Sequence, residues 1–224
     1  MYVLSVGEAL LAVRRNLDEL VINDSDMLSI NDSDSDNFES VTAGCLPDAI
    51  NEIHRAAPAV LLEGVHLKEE DLETMSIDSN GVLSFDVHDV MERFICFKAT
   101  DSPYVVTQMH EEYSGIGMMQ HNPYTAGDPM SPVLIIMQNS GEEECISSFR
   151  YYSIGSKYAD PTQAVERMEY IPKVRYDASA SSYPVSTKLV DQVLNLLTAK
   201  VLAIYNESDK SNYFLKQTIL VPQQ

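Results

Sequence analysis

The sequence predicts an α+β protein in which helices from the N- and C-terminal ends form one layer and an antiparallel, β-rich middle is inserted between them. The segment Ser186–Asn206 carries a broad apolar stripe at helical spacing. Two more helical patterns lie between residues 5 and 57 and can supply partners for that stripe. Between them and the last helix, short β-branched and aromatic runs alternate with turn signals. We therefore divide the chain into N-terminal helices at 1–62, a β-rich insertion at 63–182, C-terminal helices at 183–216 and a tail at 217–224.

Composition narrows the classes of partner. The chain has 224 residues and a formal net charge of −19, which repels nucleic acid and anionic membrane. It offers no basic stripe for a phosphate backbone. No run approaches the ~20 apolar residues of a spanning helix, and the N-terminal segment lacks the features of a signal peptide. We expect a soluble protein made in the cytoplasm, with no membrane partner and with three free cysteines, since an odd and scattered set argues against a disulfide framework.

The first helix has a local start signal. Ser5 and Glu8 are spaced as a capping box, and a helical apolar stripe follows. Arg14 and Arg15 lie on the opposite face, each four residues before an acidic residue. These arginines either form a solvated, ion-paired face or contact an acidic surface on a partner.

An acidic linker, residues 23–37, separates the first helix from the second. Alternating aspartates from Asp32 resemble the opening of a calcium loop. The sixth and twelfth positions of such a loop hold Asn37 and Ala43 instead of glycine and glutamate, so the bidentate ligand is missing. Capping of the following helix is the simpler role for these aspartates.

The remaining helical patterns give specific expectations. The second helix is predicted over Phe38–Ala57, with a kink at Pro47 or a break just before it. His54 lies one position from the apolar stripe and is expected at the surface or at its boundary. Ser186 is predicted to cap the long C-terminal helix, and a final short helix is expected to end near Gln217.

The middle of the chain is predicted to be a set of strands. Ser79-Asn80-Gly81 is a strong hairpin turn signal. Residues 110–132 lack a period and are predicted to be a long loop, of the kind that is usually functional. Residues 176–185 are predicted to be an extended linker. The expected strands are 72–77, 82–85, 91–98, 104–108, 132–137, 145–153 and 165–172. Residues 91–98 could also form a short helix that passes into a strand.

Motifs that carry chemistry are missing from the sequence. The histidines show no HExxH spacing, and Gly115-Ile116-Gly117 lacks the context of a dinucleotide fingerprint. There is neither a GxSxG motif nor a P-loop. We predict a protein that is not an enzyme and that uses no cofactor and no metal.

Five strings of the sequence carry a resemblance to a known family. The chain resembles the head-to-tail connector (adaptor, or neck ring) proteins of tailed bacteriophages, in particular the Bacteroides and crAss-like phage type. The likeness covers nearly the whole chain. The strings are VGEALLAVRRNLDE, LPDAINEIHRAAP, MERFICFKATDSPYVV, NPYTAGDPMSPVLIIM and STKLVDQVLNLLTAKVLAIYN.

The resemblance implies a structural protein of the virion neck. It implies a homo-oligomeric ring, usually of twelve subunits, that binds the portal protein and a further neck or tail ring protein. DNA would pass through the lumen without specific binding. The segment 110–132 and the tail after Lys216 are the expected partner-binding segments, and the candidate contact side chains are Arg14, Arg15, Tyr124, Tyr213, Phe214 and Leu215.

Three alternatives stay open at this point. An acidic interaction protein or DNA mimic could regulate a nucleic-acid-binding partner, although the carboxylates cluster in predicted linkers and turns. A calcium-dependent module is the second alternative, and a calcium-induced shift in melting temperature would reveal it. A hydrolase of an unrecognised type is the third.

Overall fold

The computed structural model describes residues 1–23, 35–100, 102–122, 124–128, 130–137, 147–152, 158, 160–205 and 207–218, with only the backbone described for 18–23 and 35–37. The calcium-loop resemblance at Asp32 and the part of the predicted tail beyond residue 218 lie outside these ranges.

The chain folds into α-helices and β-strands, which confirms the α+β class. In chain order the elements are β1 (Tyr2–Ser5), α1 (Val6–Asn23), α2 (Ser35–Ala56), β2 (Val65–His66), α3 (Glu69–Glu73), β3 (Ser76–Ile77), β4 (Val82–Val87), β5 (Met91–Ala99), β6 (Met109–Glu111), α4 (Gly115–Met119), β7 (Val133–Ile136), β8 (Ser147–Tyr152), β9 (Val165–Pro172), β10 (Ser182–Val185), α5 (Val190–Ile204) and α6 (Ser208–Gln217).

These elements form two compact units. The helical unit combines the chain up to Glu63 with the chain from Val174 onward, and the β unit spans Gly64–Lys173. The insertion therefore ends at Lys173 and not at residue 182 as predicted. The reason is β10, which pairs antiparallel with β1 and so belongs to the helical unit.

The helical unit is built on the predicted apolar stripe of α5. Leu196 and Leu197 of α5 are almost fully buried in the core that this helix shares with α1 and α2. Ile204, at the end of the stripe, is 53% exposed. Burying a leucine side chain contributes about 1.5–3 kcal/mol, so this packing rather than helix propensity holds the unit together. The buried side chains of the unit include Ala9, Val13, Leu17, Phe38, Leu46, Ile50, Ile53, Leu189, Val193, Leu196, Leu197 and Val201.

The helix-start predictions have different outcomes. Ser5 and Glu8 form the predicted capping box: the Glu8 N–H donates to Ser5 Oγ at 3.1 Å, and the Ser5 N–H donates to Glu8 Oε2 at 3.0 Å. Ser186 does not cap α5, because its Oγ accepts the N–H of Glu63 at 3.1 Å. A 3₁₀ turn at Thr187–Leu189 follows, and α5 begins at Val190.

Two further features of α2 bear on the sequence predictions. The helix runs from Ser35 to Ala56 without a break at Pro47, which is buried. His54 is 1% exposed and not a surface residue, because Ser186 approaches it and donates its N–H to His54 Nε2 at 3.2 Å. Burial lowers the pKa of His54 to about 4, since a charged imidazole would lose its hydration.

Asn51 fixes the chain where it returns to the helical unit. Its Nδ2 donates to the carbonyl of Val174 at 2.7 Å, and its Oδ1 accepts the N–H of Val174 at 2.9 Å. Asn51 is 5% exposed and Val174 is 8% exposed. One buried amide therefore satisfies both backbone groups of Val174, as a neighbouring strand would.

The β unit contains two sheets. One has the order β2-β9-β5, and the other has the order β3-β4-β8-β7-β6. The described pairs within them are antiparallel except β6 with β7, which is parallel. Alternate residues of β4, namely Leu83, Phe85 and Val87, are buried, as expected for a strand with one face on a core.

Aromatic rings fill the core of the β unit. Phe85 of β4 stacks on Phe149 of β8 at 5.3 Å between ring centroids and on Phe97 of β5 at 5.7 Å. Phe97 also meets Tyr151 of β8 at 4.7 Å. Because Phe97 comes from the three-stranded sheet and the others from the five-stranded sheet, these contacts join the two sheets.

Several strand predictions are confirmed and others are corrected. The hairpin turn forms between β3 and β4, with Gly81 at φ 76°. The predicted strand at 72–77 begins instead as the end of α3, and 104–108 contributes only a bridge between Val106 and Phe97. The predicted loop 110–132 contains the end of β6 and the helix α4.

The two cysteines in the described residues are free thiols. Cys96 is buried and Cys45 is partly buried. Burial raises the pKa of both thiols and so lowers their reactivity.

Candidate interaction surfaces

An exposed apolar surface lies on the segment that follows β6. Six large apolar or aromatic side chains there are 41–97% exposed. We name this the Met–Tyr surface; it consists of Tyr113, Ile116, Met118, Met119, Tyr124 and Met130. Exposed apolar patches mark interaction sites, and the concentration of six such side chains within residues 113–130 makes this segment the candidate.

The backbone beneath the Met–Tyr surface is held by hydrogen bonds. Ser114 caps α4 by accepting the Gly117 N–H at 3.1 Å, and its hydroxyl donates to the Glu111 carbonyl at 2.6 Å. Gln120 is 7% exposed; its Nε2 donates to the Ile116 carbonyl and its Oε1 accepts the Gly127 N–H at 2.7 Å. Buried polar groups therefore order the segment while its apolar side chains point to solvent.

Gly117 sets how closely α4 approaches β6. A Cβ at this position would lie 2.3 Å from the carbonyl oxygens of Glu111 and Glu112. Only glycine allows this approach, so the pairing of α4 with the sheet edge depends on the missing side chain. Gly115, two residues earlier, has open space around it.

The sequence around the Met–Tyr surface has an unusual charge. Residues 99–149 contain no lysine or arginine and seven carboxylates. The same stretch holds five of the ten methionines of the chain. Methionine is flexible and polarisable and so adapts to varied apolar partners. The surface therefore lies in a stretch of sequence that carries carboxylates and neither lysine nor arginine.

A second cluster in the β unit surrounds the buried carboxylate of Asp71. Asp71 is 0% exposed and accepts three hydrogen bonds: from the Lys68 N–H at 2.8 Å and from the N–H and Nδ1 of His88, each at 2.9 Å. The hydrogen bond to Asp71 raises the pKa of His88. Nearby, the Tyr170 hydroxyl donates to Asp89 Oδ2 at 2.9 Å. Burial is the main cause that raises the pKa of Tyr170, and this hydrogen bond is the second.

The Asp71 cluster has the geometry of a structural network. The ligand atoms of Glu70, Asp71 and His88 lie within 4.8 Å of one another, as a metal site would require. However, the ammonium of Lys68 lies 3.7 Å from Glu70 and 2.8 Å from Asp89, where it repels a cation. A metal would also have to displace hydrogen bonds that already satisfy Asp71. The cluster anchors α3 beside the end of β4, and sequence spacing alone did not reveal it.

The predicted contact residues of α1 divide between two roles. Arg14 forms an ion pair with Glu39 at 3.1 Å, and its guanidinium lies 5.9 Å from the ring centroid of Phe38. It thereby joins α1 to α2, although an exposed pair of this kind contributes at most about 1 kcal/mol. Arg15 is exposed and remains a candidate contact.

The predicted contacts near the C-terminal end are placed by α6. Tyr213 is 52% exposed and Leu215 is partly buried. Phe214 is 5% exposed and packs in the core of the helical unit, so its prediction as a surface contact is wrong. The reason is the packing of α6 on α5, which the hydrogen bond from Ser211 Oγ to the Ala199 carbonyl supports.

Tyr124 is the predicted contact that the structure leaves most open, at 97% exposure. It lies in the Met–Tyr surface, whereas the arginines and the α6 residues belong to the helical unit. The predicted contacts are therefore divided between the two units.

Comparisons with protein-family models, curated proteins and solved structures find no match to this chain. None of the helices in the described part of the chain has both the length and the apolar composition to span a membrane.

Proposed function

We propose that this chain is a structural assembly protein that forms a ring in the neck of a tailed bacteriophage, joins the portal to the tail and lets DNA pass through its lumen. The observation that carries the proposal is the Met–Tyr surface, where a hydrogen-bonded backbone presents apolar side chains to solvent. A preordered surface loses little conformational freedom on docking, which favours a binding role. The proposed role needs no catalysis and no cofactor.

The charge of the chain supports the part of the proposal that concerns DNA. The helical unit contains eight Lys and Arg against sixteen Asp and Glu, a net charge of −8. The β unit contains seven against eighteen, a net charge of −11. Either unit could line a channel without phosphate contacts, because acidic walls do not hold DNA by counterion release.

The architecture is the second support. Helices from both ends of the chain share one core, and the β unit is an insertion within that unit. Three of the strings that carry the family resemblance lie in the helical unit, and the other two lie in the β unit. A ring of such chains would contact the portal, a further neck or tail protein and its own neighbours.

Quantitative mass spectrometry of purified phage particles tests the proposal. We expect this chain at a copy number equal to that of the portal, or at a fixed ratio to it, in particles from cultures that express it. Partially assembled heads without tails should retain the chain if it docks on the portal. Particles with intact tails that lack the chain would refute the neck role.

The acidic stretch also favours one alternative, an acidic interaction protein or DNA mimic that regulates a nucleic-acid-binding partner. Its basis is residues 99–149, which contain carboxylates and no compensating lysine or arginine. A DNA mimic occupies the DNA site of its partner, so duplex DNA would compete with it. The ring is favoured if two results are obtained together. The complex of the chain with its partner survives excess duplex DNA, and the chain is detected in phage particles.

A further inference from the structure

We infer that the Met–Tyr surface binds a basic amphipathic segment of another protein, one with apolar side chains flanked by lysine or arginine. This deepens the proposed assembly role, on which it rests, by naming the chemistry of the partner.

The exposure of the apolar side chains follows from the fold of the segment. Gln120 is buried and links the carbonyl of Ile116 to the N–H of Gly127, which brings the two halves of the segment together. Thr125 adds a hydrogen bond from its hydroxyl to the Met119 carbonyl at 2.7 Å. The backbone is therefore fixed, while Met118 and Met119 are 54% and 55% exposed.

Most of the exposed side chains of the surface are methionine and tyrosine. Methionine and tyrosine provide large contact areas, and methionine adjusts its shape to an irregular apolar face. Surfaces of this composition commonly accept the apolar side of an amphipathic helix. The partner segment should therefore carry its own apolar stripe.

The acidic charge around the surface favours a basic partner over a second copy of this chain. Glu111, Glu112 and Asp128 lie in or beside the segment, and no lysine or arginine occurs from residue 99 to residue 149. A second copy would bring the same acidic segment and a net charge of −19 to the interface. A segment rich in lysine or arginine instead gains attraction from the same charges.

A set of synthetic peptides tests this inference on the full chain. The probe is an 18-residue helical peptide with a leucine face, a lysine face and one tryptophan. Because the protein contains no tryptophan, a blue shift of the emission reports burial of the peptide directly. One comparison peptide replaces every lysine by glutamate, and another keeps the lysines but replaces the leucines by glutamine.

We expect the leucine–lysine peptide to bind at least about tenfold more tightly than either comparison peptide. The double variant Met118→Ser/Met119→Ser should weaken that binding about tenfold or more, since it removes two apolar contacts. The matched control is Leu11→Ser/Val60→Ser, which removes two exposed apolar side chains, 66% and 78% exposed, from the helical unit. The control should bind the peptide as the wild type does. Both variants alter exposed side chains, and an unchanged melting temperature verifies their folding.

Three results would overturn the inference. Equal binding of the glutamate peptide removes the charge argument. Equal binding by the Met118→Ser/Met119→Ser variant shows that the net charge alone attracts the peptide. Self-association of the wild type in sedimentation equilibrium that this variant abolishes identifies a second copy as the occupant. These results are distinct from the particle measurement, because a chain present in the neck with no preference for basic peptides would refute only the chemistry of the partner.

Discussion

Replacement of Asn51 by alanine should destabilise the helical unit by about 2–5 kcal/mol. The side-chain amide makes two hydrogen bonds, at 2.7 and 2.9 Å, to the two backbone groups of Val174. Each buried group that loses its partner costs about 1–3 kcal/mol. Water that enters the site would partly solvate the unpaired groups, so we expect the total cost to stay below the sum of the two upper limits.

Urea unfolding followed by circular dichroism measures this loss, with linear extrapolation to water. Hydrogen–deuterium exchange then locates it, and we expect faster exchange in α2 and α5 with unchanged protection in β4 and β8. The matched control is Asn212→Ala, an exposed position on α6. It should change the free energy of unfolding by no more than about 0.5 kcal/mol. A loss below about 1 kcal/mol for Asn51→Ala, or equal loss of protection in the β strands, would refute this reasoning.

Three more substitutions test other parts of the fold. Burial lowers the pKa of His54 to about 4, whereas the unfolded imidazole titrates near 6.5, so its stabilising effect is complete above about pH 6.5 and is lost as the pH falls toward 4. Between pH 7 and pH 5 the wild type should therefore lose about 2 kcal/mol that His54→Gln does not lose, and parallel urea-derived stability curves would contradict this. Leu196→Ala should cost about 2–5 kcal/mol in the same assay, while Leu11→Ala at an exposed position changes little, and similar costs for both would contradict the assigned burial. Gly117→Ala should speed hydrogen exchange of the α4 amides because its Cβ would lie 2.3 Å from two carbonyl oxygens, whereas Gly115→Ala meets no neighbour within 4 Å and should not. Equal exchange in the two glycine variants would show that α4 does not depend on the close approach.

Local signals explain which elements the sequence could predict. The capping box of Ser5 and Glu8 and the hairpin turn at Gly81 need only neighbouring residues, and both formed as expected. The stripe of α5 was also predictable, because its period is a property of one segment. Such elements keep their local preference when the chain folds.

Elements that depend on distant partners were missed. β10 carries Ser182 and Pro184 and has little strand character of its own, and it forms by pairing with β1. α3 is held by the buried Asp71, whose partner His88 lies beyond the next two strands. His54 is buried because Ser186 meets it from 132 positions away. None of these contacts produces a periodic pattern of residues from which it could be predicted.

The candidate site shows the same division. The segment around Tyr124 was predicted as a partner-binding loop from its length and composition, and the charge of residues 99–149 can be counted in the sequence. Only the three-dimensional structure reveals that Gln120 is a buried link and that position 117 needs glycine. The burial of Phe214 is likewise seen only in the structure, because a ring on a short amphipathic helix can face the core or the solvent until packing on α5 fixes its side.

The acidic charge bears on the order in which an assembly of this chain would form. Copies that each carry a net charge of −19 repel one another, and the repulsion grows as the salt concentration falls. A ring of free chains therefore needs enough apolar burial to exceed that repulsion. A basic partner segment on the Met–Tyr surface would neutralise part of the charge before neighbouring copies meet. The proposed ring is then expected to assemble on its partner and not ahead of it, so the isolated chain should remain monomeric at low salt.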